Sequence, residues 1–450
     1  MLALRNPVQR YDWGSPDRLA TFLGEPPDGR PQAELWIGAH PSAPSLARLT
    51  RRDDLRVDDL RVDGIDEDGT WVPLDQLIAG DPQRWVGAEV LARFGPVLPF
   101  LFKVLAAAQP LSLQLHPDQA AAHDGFAAEE AAGIPLDHPA RRYRDPNHKP
   151  ELLVALDGFE VLSGFRPGPE IADLFAAFGL PSAWVALAGR LEPGDLCERL
   201  WQLDRTEAAT LVELVIAAAG SPERVPADSS RDEPGRVRAA AAFPAECDFV
   251  RAASACHPGD IGVVVGLCLN RTSLRPTEGA FAEPGVLHSY LGGFGLEIMA
   301  NSDNVLRGGL TTKVVDVPEL RRHLVSHATT PRRLIAHAHH GDGGVEQRFE
   351  VLVDEFALSS LHPGPGAGPD VAAMIVRAAG PEILLCVADE VAITVDPAGA
   401  AVFAETTTVL RRGQSVFVPA GHGTYRVSGA GSLYRAQVGI HARRLWADQP

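Results

Sequence analysis

GAFAEPGVLHSY, residues Gly279–Tyr290, and GQSVFVPAGHGTY, residues Gly413–Tyr425, follow one order. Each gives a Gly, a short apolar run, a Pro-containing turn, then a His and an aromatic residue. A β-prone run closed by Pro and Gly reads as a strand entering a tight turn. Proline presets φ there, and glycine opens backbone conformations that other residues resist. The same hairpin met in the middle of the chain and again near its end suits a mainly-β protein whose jelly-roll barrel is made twice.

Outward from these hairpins the pattern alternates between strand and helix. Val97–Leu105 (VLPFLFKVL) is apolar and bounded by Gly and Pro, as a buried strand would be. Ser112–His116 (SLQLH) alternates, which puts Ser112, Gln114 and His116 on one face of a strand and Leu113 and Leu115 on the other. Arg51–Gly69 repeats DLRVD in tandem and reads as an exposed charged loop. From Pro169 to Gly220 apolar residues recur at helical spacing, which predicts three or four helices in a separate lobe. Ser221–Arg238 is a polar, Pro-rich linker. Strands are expected to resume with the β-branched run DIGVVVGLCLN, Asp260–Asn270, and to continue through Pro331–Ala447, with turns at 363–369 and 396–399. The expected division is a catalytic β domain from residues 1–168 and 254–325, a helical lobe with its linker over 169–253, and a second barrel over 326–450.

The chain has 450 residues, 45% of them hydrophobic and 22% charged, enough apolar surface for large cores. Its 41 basic and 58 acidic residues leave a net charge of −17, which disfavours nucleic acid and anionic membrane surfaces as partners. A phosphorylated substrate would be repelled as well, so its site needs a local cluster of Lys and Arg. Five cysteines at irregular spacing give no disulfide framework. No run approaches the roughly 20 apolar residues that span a bilayer, and the N-terminus lacks an apolar export segment. A cytoplasmic monomer or small homo-oligomer is expected.

Gln114 and His116, two residues apart on a strand, project from one face at a distance that lets both reach a single ion. PNHKPELL (Pro146–Leu153) adds His148, Lys149 and Glu151, and His288 follows the Pro284–Gly285 turn. Two imidazoles, a carboxylate and an amide oxygen, with no thiolate, suit zinc or another divalent ion with an open position for chemistry. His337, His339 and His340 form a second histidine-rich run, but in a basic, exposed stretch.

Five segments taken together resemble the class I mannose-6-phosphate isomerases. They are YDWGS (Tyr11–Ser15), ELWIGAHPSAPS (Glu34–Ser45), LSLQLHPD (Leu111–Asp118), DPNHKPELL (Asp145–Leu153) and PGVLHSYLGGFGLEIMANSDNVLRGGLTTK (Pro284–Lys313). The resemblance implies a cupin fold, jelly-roll (double-stranded β-helix) barrels with an inserted helical lobe. It also implies one zinc ion per subunit, held by Gln114, His116, Glu151 and His288. The activity implied is interconversion of mannose 6-phosphate and fructose 6-phosphate, a step that links carbohydrate metabolism to GDP-mannose biosynthesis. Arg307 falls where the family places its catalytic arginine. Two positions depart from the family pattern: Gln119 replaces the usual Lys after HPD, and Thr312 replaces the Pro of TPK.

Aldose–ketose conversion moves a proton between C2 and C1, so it needs a stabiliser for enediolate charge and a base of suitable pKa. Glu297 and Asp303 are candidate bases, with Lys149 and His148 as acid partners. Arg307 is placed to stabilise the enediolate or to clamp phosphate. Ser112, Lys149, Arg307 and Lys313 form the basic patch for the phosphate, and Tyr290 either contacts the sugar or packs. Two rival readings remain at this stage: a sugar-phosphate sensor without turnover, and an iron oxygenase using a two-His-one-carboxylate set. The second barrel, around His422, lacks a matching donor set and reads as structural.

Overall fold

The computed structural model describes residues 1–50, 69–138, 141–220, 242–341, 343–364, 373–395 and 406–447. The expected loop at 51–69 apart from residue 69, all of the expected linker at 221–238 and most of the turns at 363–369 and 396–399 lie outside the described residues. The chain is mainly β, and every named pair of strands runs antiparallel. A ten-stranded sheet holds the candidate site, a nine-stranded sheet and a four-stranded sheet build the other body, and helices cover one flank.

The site-bearing sheet is centred on two long strands, Glu151–Phe165 and His288–Ala300. Phe100–Ala107, the strand expected from VLPFLFKVL, pairs with His288–Ala300 and with Glu34–Gly38, and all eight of its residues are buried. Phe100, Phe102, Val104 and Ala106 fill the core that both large sheets share, while Leu101, Leu105 and Ala107 pack on the other face of the strand. Lys103 is the exception in this strand, and it is buried too.

Helices Gly168–Ala177, Ser182–Ala188, Pro193–Trp201 and Arg205–Ala219 form the expected lobe. Asp204 caps the last of these, accepting from the Thr206 and Glu207 amides while Glu207 reaches back to the Asp204 amide. The lobe extends beyond its expected end. Residue 253 falls inside helix Pro244–Cys256, and a further helix covers Gly262–Leu267 where a strand was expected. Burial on every side erases the polar–apolar period that separates strand from helix, and three successive valines favour strand on propensity alone. Gly262 and Gly266 decide for helix through packing: a Cβ on the first would meet the Leu310 backbone at 2.6 Å, and one on the second the Phe249 ring at 2.3 Å. Only after Leu267 does the chain return to the sheet, as strand Leu269–Leu274.

The division at residue 168 also needs qualification. Strand Leu2–Arg5 pairs with Ser415–Val418, and strands Leu46–Leu49 and Thr70–Pro73 extend the same nine-stranded sheet. The N-terminal segment therefore completes the body made by the C-terminal strands. Both echoed segments form strand–turn–strand units, Glu278–Ala282 to His288–Ala300 and Ser415–Val418 to Thr424–Gly429. Among the described residues no helix is long and apolar enough to cross a membrane.

Candidate metal centre and active site

Three donors come together from three strand ends. Glu151 opens the strand Glu151–Phe165, and His288 opens His288–Ala300. His116 follows the short strand Leu113–Leu115, whose Gln114 faces His288 directly in register. Ser112 and His116 flank that strand instead of lying within it. The turn that delivers His288 is tightly built. Gly285 has φ +77° and donates its amide to the His116 carbonyl at 2.8 Å, tying the two ligand segments together.

The donor geometry suits a divalent ion. His116 Nε2 lies 3.4 Å from Glu151 Oε1, and His288 Nε2 lies 3.4 Å from Glu151 Oε2. Two N or O ligands at about 2.05 Å from one tetrahedral ion stand about 3.3 Å apart. Each imidazole also donates its Nδ1 hydrogen to a main-chain carbonyl, His116 to Asn304 at 2.8 Å and His288 to Val286 at 2.9 Å. A carbonyl only accepts, so each Nε2 is left with its lone pair facing the shared point, the tautomer a metal needs. His116 Nε2 is buried with no hydrogen-bond partner. Burial pushes its pKa down to about 4 against the pull of Glu151, which keeps the ring neutral. This is the one group of His, Cys, Asp and Glu side chains among the described residues that could hold a metal ion. His337, His339 and His340 lie on an edge strand and His422 in a turn, without such a set.

Charged groups surround the donors. Burial alone would raise the Glu151 pKa, but the Lys149 ammonium, with Nζ at 3.0 Å, holds it well below the usual range. A small cavity of about 70 Å³ opens onto the centre, lined by Gln114, Lys149, Glu151, His288, Tyr290 and Glu297 among others. Glu297 is buried, and burial raises its pKa. Lys103 donates to it at 2.9 Å and lies 3.5 Å from Glu34, whose other partner is the Trp36 indole. Tyr290 donates to Glu151 at 3.4 Å, and burial drives its pKa up, so the phenol stays protonated.

Arg307, Lys313, Asp303 and Ser112 are not among the residues that line the cavity. Arg307 is opposite Gln114 in register, and burial followed by Arg144 lowers its pKa. Lys313 is lowered chiefly by Arg307, then by burial and Arg144. These three cations thus repel one another in a patch that an anion would complete. Asp303 is exposed, lies 3.6 Å from His40 and does not line the cavity; its amide donates to Asp145 at 2.7 Å. Ser112 is half-buried and does not line the cavity either.

Several contributors were not singled out from the sequence. Lys103 had a signal, a lone cation in an apolar run, and Glu34 and His40 lay within a resembling segment. Asn304 lay within another, but its residue type gave no sign of its role, which is to bind backbone. Its Oδ1 accepts from the Arg144 amide at 2.7 Å, while its Nδ2 donates to the carbonyls of Asp145 at 2.7 Å and Asn147 at 2.9 Å. With its own carbonyl on His116, Asn304 links the metal ligand to the loop that carries His148 and Lys149.

Comparison with known proteins now adds to this geometry. The family model described as phosphomannose isomerase type I, catalytic domain, matches residues 1–168. A mannose-6-phosphate isomerase of Salmonella typhimurium (strain LT2) is 36% identical over 97% of this chain and 99% of its own length. The chain belongs to the mannose-6-phosphate isomerase family. Within that family, the Escherichia coli (strain K12) member is 37% identical over 80% of this chain and 83% of its own, and the human member 33% over 70% of each. A crystal structure of the Salmonella typhimurium mannose 6-phosphate isomerase, bound to its substrate fructose 6-phosphate and to zinc, superposes with a TM-score of 0.78. It is 32% identical, covering 97% of this chain and 99% of that one.

Proposed function

We propose that this chain is a zinc-dependent isomerase interconverting mannose 6-phosphate and fructose 6-phosphate. The observation that carries the reading is the pair of imidazole nitrogens, each 3.4 Å from a different oxygen of one buried carboxylate, at the base of a charged cavity in this family. His116, Glu151, His288 and Gln114 would hold the ion. Zinc, when bound, supplies a Lewis acid for the sugar carbonyl and hydroxyl oxygens.

The chain's own groups do the rest. Glu297 is the base we favour: it is buried, it lines the cavity, and burial raises its pKa above the usual carboxylate range, which strengthens it as a base. Lys103 holds it in place and balances its charge in the carboxylate state. Lys149, on the opposite wall, is positioned to donate toward substrate oxygen, with Tyr290 as a protonated neighbour. Asp303 acts from outside the cavity, through His40 and the Asp145 loop. Arg307, Lys313 and Arg144 take the phosphate, whose charge would relieve their mutual repulsion. We read the two β bodies as cupin jelly rolls, the second without a metal centre, and place the protein in the cytoplasm. An iron oxygenase or a silent sensor has no comparable support.

The test is fructose 6-phosphate formation from mannose 6-phosphate by purified protein, before and after chelation and zinc return. Chelator-sensitive turnover restored by zinc supports the reading, and His288→Ala should lose both metal and rate. Folded, zinc-loaded protein that does not turn over sinks it.

A further inference from the structure

Beside the site, one contact crosses from the C-terminal body to the loop of the candidate centre. His148 Nε2 lies 2.9 Å from Glu355 Oε1, with the imidazole 20% and the carboxylate 15% exposed. Glu355 stands in the turn before strand Ala357–Pro363. We infer that Glu355 is a positioning residue for the isomerase, acting through His148 on the Asp145–Lys149 loop. This rests on the proposed isomerase activity and adds a contribution of the second β body to it.

The turn is built to present this side chain. Phe356 is fully buried in the shared core. Asp354 is gripped on one side by Arg93 at 3.1 Å and on the other by Arg443, which also donates to the Val353 carbonyl. The Ile440 amide donates to the Asp354 carbonyl at 3.1 Å. Residue 355 is thereby fixed between a helix of the first body and the C-terminal helix.

Stability does not explain the carboxylate. Glu355 Oε2 is buried without a partner, a desolvation that disfavours folding. Its one hydrogen bond among the described residues is to His148. A carboxylate only accepts, so His148 Nε2 is the donor in this contact. Elsewhere the loop is held through its backbone, by Gln119 and Asn304, and through the side chains of Asp145 and Lys149. Gln119 accepts from the His148 amide at 3.3 Å and donates to the Pro146 carbonyl at 2.7 Å, and Asn304 binds the backbone from Arg144 to Asn147. Glu355 is the contact that fixes the orientation of the imidazole itself. Lys149, the next residue, reaches Glu151 from the same loop.

The experiment uses the full zinc-loaded chain with mannose 6-phosphate. Glu355→Leu, which removes the acceptor at similar volume, is expected to lose on the order of 10- to 100-fold in kcat, the range for a misplaced reacting group. KM, zinc content and Tm should stay near wild type. Glu355→Gln keeps an acceptor oxygen and should recover most of the rate. Glu355→Asp keeps the charge but withdraws the acceptor by a methylene, and should lose nearly as much as Leu. On a His148→Ala background, Glu355→Leu should have no further effect, whereas a merely structural role would add its cost again. Wild-type kcat in the Asp and Leu variants, or an undiminished effect on the His148→Ala background, overturns the inference while leaving the isomerase reading intact. An inactive wild type removes both. If Glu355→Leu does not fold, the Asp and Gln variants carry the same decision.

Discussion

Replacing Asn304 by Ala removes three short hydrogen bonds to the Arg144–Asn147 backbone, at 2.7, 2.7 and 2.9 Å, and leaves the main-chain carbonyl that receives His116. At about 1 kcal/mol net for each, the loop should lose about 3 kcal/mol of its docking free energy. A tenfold change per 1.4 kcal/mol makes this roughly a 150-fold rise in the open population. The Arg144 amide, which donates to Asn304 Oδ1, reports on it directly. In native-state hydrogen exchange its protection should fall by about two decades, while amides in the strand Phe100–Ala107 keep theirs. kcat should fall with the loop, because Lys149 travels with it. Zinc content should hold, because the alanine still offers its carbonyl to His116 Nδ1. An Arg144 amide that exchanges at the wild-type rate in folded Asn304→Ala would refute the account of Asn304 as the link between ligand and loop.

In the second body, Glu382 is fully buried, with Arg435 and Tyr425 as partners. Arg435→Met strands this carboxylate and should cost about 3–5 kcal/mol at pH 7.5. Burial already raises the Glu382 pKa above 4.5, and loss of the cation raises it further. The folded variant then binds the proton more tightly than the folded wild type, so the deficit should shrink as pH falls from the variant's folded pKa to the wild type's, by up to about 1.4 kcal/mol per unit. Denaturant titrations showing a pH-independent deficit would contradict this. Gly285→Ala places a Cβ 2.6 Å from the His323 carbonyl at φ +77°, which should cost about 1–3 kcal/mol and weaken zinc binding by displacing His288, measured by competition with a chelator. Gln119→Lys keeps a donor for the Pro146 carbonyl but loses the acceptor for the His148 amide. It should cost about 1 kcal/mol or less and change kcat by under about tenfold, checked by steady-state kinetics.

Much of this protein was determined by sequence alone, where the controlling interactions are local. The helices over 168–219 follow from 3.6-residue periodicity and the strand Phe100–Ala107 from an apolar run between turn residues, while residue type and spacing gave only candidate donors and the resemblance chose among them. Tertiary structure decided what depends on partners distant in the chain. Gly262–Leu267 is helical because two glycines let it pack against Leu310 and Phe249. Leu2–Arg5 joins the C-terminal sheet because an edge near Val416 needs a partner for its backbone groups. Lys103, Glu34 and Glu297 come together because three neighbouring strands share one register, and Glu355 meets His148 because Arg93 and Arg443, from distant parts of the chain, hold the neighbouring Asp354 in place. Side-chain periodicity records which face of an element is buried, but a charge left on that face is balanced only by residues that folding brings to it.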